Sequence, residues 1–209
     1  NNPVMYTDPS GEFVITLTAI LIAMAIGAGV GATIGVATSL YKDSRDDGEI
    51  NLSIGLDTYF AYSIGGMVAG AGIGVCAILG AAAGTATLLG SSAILFTTSG
   101  IGITFGSALA IGTGMAFATG MAGYTIRTVI SSSESFNTGD MFVEGAFNAI
   151  SGMFSVGGGY LVGYMGFRVD LASKLLSRSS DIFIRTGIQF YFTGGIKYGI
   201  GTLKGQILY

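Results

Sequence analysis

Few groups in this chain can do chemistry. It carries one thiol, Cys76, a run of acids at Asp43, Asp46, Asp47, Glu49 and Asp57, many Ser and Thr, and no His in 209 residues. Without His, the hydroxyls lack the commonest general base and any transition metal lacks its commonest ligand. The acids between 42 and 57 invite calcium, but the ordered spacing of an EF-hand loop is absent, so they are expected to form a solvated loop. Cys76 alone can close neither an intrachain disulfide nor a Cys-based metal site, and reads as a small buried hydrophobe. Glycine runs such as 27–35 lack the preceding strand and following acid of a dinucleotide fingerprint. The sequence therefore predicts no enzyme: no catalytic residues, no metal and no cofactor. A pI near 4.7, with no basic patch interleaved with aromatics before residue 168, predicts no nucleic-acid partner.

What the chain has instead is a long absence of charge. Residues 58–126 contain no Asp, Glu, Lys or Arg. A helix in a soluble protein carries charge on its solvent face, whereas a helix in lipid must avoid it on every face for about 20 residues. Charged residues make up 10% of the chain against a globular average of about 25%, and Gly fills 36 positions. Glycine at that density fits helices whose backbones approach closely in a bilayer. The expected fold class is all-α, with glycine-rich transmembrane helical hairpins, about 4–5 membrane-length apolar segments and a basic amphipathic C-terminal helix. Strands of a β-barrel would alternate apolar and polar residues over ~10 positions, and that alternation is not evident.

The apolar segments are read as 13–41, 59–84, 93–126 and 145–167. Gly27, Gly31 and Gly35 recur every four residues in the first, Gly66, Gly70 and Gly74 in the second, and Gly102 and Gly106 in the third. That spacing lines each set along one helical face for packing. A turn is expected at 84–92, a break near 97–100, a polar break at 127–144, and a kink at Gly157-Gly158-Gly159. Each glycine costs about 0.5–1 kcal/mol against Ala in a helix in water, so helicity is expected to depend on a membrane, where unpaired backbone groups are far costlier. Residues 1–57 hold two basic against seven acidic side chains. From residue 168 the balance reverses: Arg168, Lys174, Arg178, Arg185, Lys197 and Lys204 face only two acids. With Phe190, Tyr191, Phe192, Tyr198 and Tyr209, segment 168–209 is expected to lie amphipathically at a lipid interface.

Residues 1–12 have another character. Asn2-Pro3, then Tyr6, then Asp8-Pro9-Ser10-Gly11, make a good turn in physical terms. The pattern also resembles the NP…Y-x-DP-x-G sequence that closes the core of RHS (YD-repeat) proteins, on Pro3, Tyr6, Asp8, Pro9 and Gly11, and is followed by an abrupt change of composition. The resemblance implies that 1–12 ends such a core, a large β-cage, and that 13–209 is the variable toxin or effector segment held inside it. It further implies secretion followed by arrival at a target cell, and a membrane immunity protein as partner in the producing cell.

Three functions are compatible with these readings: a pore-forming, membrane-depolarising toxin domain; a module that translocates another toxin domain across a membrane; and an inactive hydrophobic plug of the cage. The first is preferred, since nothing in the sequence follows Tyr209. Its expected partners are the lipid bilayer of the target cell, the RHS core of the same precursor, and further copies of itself.

Overall fold

The computed structural model describes residues 13–15, 17–50, 52–89, 93–95 and 101–164. The junction residues 1–12 and the basic segment 168–209, with the six cations assigned to it, lie outside the described residues. What is described is mostly helix: α1 (Leu17–Asp47), α2 (Leu56–Leu89), α3 (Phe105–Ile130) and α4 (Thr138–Tyr164), with three short strands, β1 (Phe13–Ile15), β2 (Ala93–Leu95) and β3 (Ile101–Ile103). Three of the helices are long and apolar enough to cross a membrane, over Leu17–Arg45, Leu56–Thr87 and Phe105–Ile130.

The boundaries differ from the sequence reading for local reasons. The acids assigned to a loop begin inside a helix, because α1 continues through Lys42, Asp43 and Arg45 and ends only where Gly48 takes a φ of 83° and its N–H bonds Ser44 O. Helix α2 likewise runs six residues into the expected turn at 84–92. Residues 93–95 and 101–103, assigned to a helical arm, instead form β2 and β3, which pair antiparallel with Ala93 opposite Ile103, and β1 joins β2 in parallel, Val14 opposite Ile94; the break expected near 97–100 lies outside the described residues. The β-branched residues there favour extended chain, and a cap sets the start of α3. Thr104 sits in extended conformation, its hydroxyl accepting from Ser107 N (3.3 Å) while its own N–H donates to Ser107 Oγ (2.9 Å). At α4, Asn137 Oδ1 accepts from Gly139 N at 2.8 Å. From there α4 continues as helix through Gly157-Gly158-Gly159.

Helix α2 is the centre of the bundle and packs on α1, α3 and α4, while α3 and α4 also pack on each other. The α1/α2 contact is backbone on backbone. A Cβ placed on Gly27 would strike Gly70 O, one on Gly31 would strike Gly66 O, and one on Gly35 would strike Tyr62 O. In return, a Cβ on Gly66 or Gly70 would strike the carbonyl of Gly31 or Gly27, and Gly74 N lies 3.0 Å from the Cβ position of Gly27. Gly65 and Gly123 do the same for α2 and α3, at 2.5–2.6 Å from each other's carbonyl oxygen. Gly102 and Gly106, expected to pack helices, do not: Gly102 lies on β3 with nothing within 4 Å of a Cβ, and Gly106, in the first turn of α3, would meet only Thr104 Oγ1 at 3.9 Å.

Candidate membrane-inserted bundle and its polar end

The interior of the bundle is rich in small residues: Ala23, Ala61, Ala77, Ala82, Ala83, Ala108 and Ala116 are at most 1% exposed, beside Ser39, Cys76, Ser151 and Ser155, and the larger side chains buried with them are Ile73, Val75, Leu79, Ile103, Tyr124 and Val156. The largest fully buried side chain is Leu79. The bulky apolar residues point outward on all four helices, among them Leu17 and Leu21 on α1, Phe60 and Met67 on α2, Ile111 and Met115 on α3, and Phe142, Phe154 and Leu161 on α4. Phe60 is 64% exposed and Leu17 58%. Small residues at helix contacts with large apolar ones facing outward are compatible with helices packed in lipid.

One end of the bundle is polar. Glu134, on the loop from α3 to α4, holds three elements at once: Oε1 accepts from Lys42 Nζ of α1 (2.7 Å) and Tyr62 OH of α2 (2.6 Å), and Oε2 accepts from Arg127 Nε of α3 (2.9 Å). Arg127 NH1 then donates to Glu144 Oε1 of α4 at 3.0 Å. The guanidinium lies 4.6 Å from the ring centroid of Tyr62 and 5.1 Å from that of Tyr124, within cation–π range. Charges therefore alternate, Lys42, Glu134, Arg127, Glu144, across α1, the α3 to α4 loop, α3 and α4, and Tyr62 ties in α2. Burial pushes the Glu134 carboxyl toward protonation, but the Arg127 and Lys42 charges and the Tyr62 hydrogen bond outweigh it and hold the group below its ordinary value.

A second knot tightens the α1 to α2 loop. Asp43, with no exposed surface, accepts from Ser53 Oγ (2.7 Å), Leu52 N (2.9 Å), Ile54 N (3.2 Å) and Tyr59 OH (2.9 Å). These bonds hold Leu52 at a φ of 63°, a left-handed backbone that a Leu adopts only when its surroundings impose it. Nearby, Thr58, Ser131 and Ser133 share hydroxyl bonds of 2.9–3.0 Å, and Asp57 Oδ2 accepts from Ser132 N at 2.7 Å. The opposite end is aromatic: Phe105 packs on Tyr160 with ring centroids 4.6 Å apart, and Tyr160 stacks on Tyr164 at 5.9 Å.

The structure thus brings Gly27, Gly31, Gly35, Gly66, Gly70 and Gly74 together along one helix contact and leaves Gly102 and Gly106 outside any. The residues of the polar end were not singled out in the sequence. Their trace there is faint: Arg127 is the first charge after the long apolar stretch, with Glu134 and Glu144 following, but Lys42 lies 92 residues from its partner Glu134. Chemically the cluster is a clamp, an alternating charge network. Among the described residues, no three His, Cys, Asp or Glu gather as a metal site would need. No family model, curated protein or solved structure matches this chain.

Proposed function

We propose that this chain is a membrane-inserting, pore-forming toxin domain, carried by an RHS-type protein and released into the bilayer of a target cell. The observation that carries the reading is the outward placement of large apolar side chains on all four helices around an interior rich in Ala, Gly, Ser and Cys. Lipid is the solvent that such a surface fits. The shortest of the three long apolar helices has 26 residues, about 39 Å at 1.5 Å per residue, enough for a hydrocarbon core of about 30 Å. The polar end, with Lys42, Arg127, Glu134 and Glu144, suits the headgroup and water side, and the Phe105, Tyr160 and Tyr164 cluster suits the other interface. The RHS origin rests on Pro3, Tyr6, Asp8, Pro9 and Gly11. With it come the cage as container, a membrane immunity protein as antidote, and self-association in the target membrane.

The test is inducible expression in bacterial cells, with membrane potential followed by a voltage-sensitive dye. The expected result is loss of potential within minutes of induction, with the protein in the membrane fraction. A membrane-bound protein that leaves the potential intact would overturn the pore-forming reading in favour of a translocation module or an inert plug.

A further inference from the structure

The inward face of α4 is polar in an otherwise small and apolar interior. Glu144, Asn148, Ser151 and Ser155 follow at spacings of four, three and four, which places them on one helical stripe. Asn148, Ser151 and Ser155 are at most 5% exposed, and the stripe meets α2 and α3: Asn148 Nδ2 donates to Ala116 O at 2.6 Å, and Ser155 Oγ to Ile73 O at 3.2 Å. Yet Asn148 Oδ1, on a residue 5% exposed, receives no hydrogen bond among the described residues, and neither does the buried Thr113 Oγ1 of α3. An unmet buried acceptor is destabilising, and water is its usual partner where the surroundings are polar. The stripe begins at Glu144, which pairs with Arg127 in the polar end.

We infer that the stripe Glu144, Asn148, Ser151 and Ser155 is a hydrated column, with Asn148 Oδ1 accepting from water, and that small monovalent cations cross the bilayer along it. Its side-chain oxygens can replace water ligands around a cation, while an anion would find mainly acceptors facing it. The cation path rests on the pore-forming reading; the hydration of the column does not.

The experiment separates the two. In a Cys76→Ala background, Ser151→Cys and Ser155→Cys are compared with the outward-facing Phe154→Cys and Leu161→Cys in proteoliposomes, using a charged, membrane-impermeant thiol reagent. Ser→Cys changes little volume, so folding is not at stake as it would be at Asn148. Only a water-exposed thiol ionises and reacts, so positions 151 and 155 are expected to label about tenfold or more faster than 154 and 161. Equal or slower labelling would overturn the column. In parallel bilayer recordings, modification at position 151 is expected to reduce the current at least severalfold. Current without labelling would refute the column and leave the pore; labelling without current would keep the hydrated column and refute both its role as an ion path and the pore-forming reading.

Discussion

Gly31 and Gly29 lie two residues apart on α1, and adding the same methyl group to each should have opposite results. A Cβ on Gly31 would collide with Gly66 O and would stand 2.8 Å from Gly66 C and 3.0 Å from Gly70 Cα, whereas one on Gly29 has nothing within 4 Å. Carbon–carbon contacts settle at about 3.5–4.0 Å and the colliding Gly66 O is nearer still, so Gly31→Ala must part α1 and α2 by about 1 Å or more, and even a gap of about 0.5–1 Å forfeits a quarter to a half of the dispersion well of the facing atoms. Overpacking of this kind costs about 1–3 kcal/mol. At Gly29 the clash is missing and only the backbone gain of replacing glycine remains, about 0.5–1 kcal/mol in favour of the helix. The two variants should therefore differ by about 1.5–4 kcal/mol, or about 10- to 700-fold in the ratio of folded to unfolded protein. The assay is reversible unfolding by SDS from mild-detergent micelles, followed by circular dichroism. If Gly31→Ala proved as stable as Gly29→Ala, α1 and α2 would not meet through this glycine face and the packing described here would be wrong.

The same contact predicts that Gly66→Leu, Gly70→Leu or Gly74→Leu abolishes bilayer conductance while lipid partitioning, measured by vesicle flotation, is retained. Stability should also fall in acid. Glu134 is held below its ordinary pKa, so its contribution is fully present above the ordinary carboxylate range and is lost as pH falls through that range to the lowered value of the fold. SDS titrations between neutral and strongly acidic pH should show that loss, and Glu134→Gln should flatten it. Arg127→Met leaves Glu134 and Glu144 facing each other's charge without their shared cation, and should cost up to about 3 kcal/mol in the same titration.

How much of this was legible in the sequence depends on how local the cause is. Lack of charge over 58–126 and the four-residue glycine spacing are local patterns, and they pointed to long helices and to the faces that carry Gly27, Gly31, Gly35, Gly66, Gly70 and Gly74. Gly102 and Gly106 kept the spacing but fell before and at the start of α3, because a cap at Thr104 and strand pairing with β2 decide where that helix begins. Strand pairing between residues 13–15 and 93–95 spans some eighty residues and leaves no mark in a window of ten. The polar end was hidden for the same reason. Lys42, Tyr62, Arg127, Glu134 and Glu144 come from four helices and a loop, and Asp43 looked like part of a solvated loop until α1 carried it into the bundle. Asn148 was passed over inside an apolar segment, since the spacing of Glu144, Asn148, Ser151 and Ser155 means little until the face they share is known to point inward.

The central claim is that this chain by itself makes a bilayer conduct. Current across a planar bilayer after addition of the 209-residue protein, with anionic and neutral lipids compared, tests it most directly. The account predicts discrete conductance steps that disappear in the Gly70→Leu variant; a membrane-bound protein that passes no current in either lipid would contradict it.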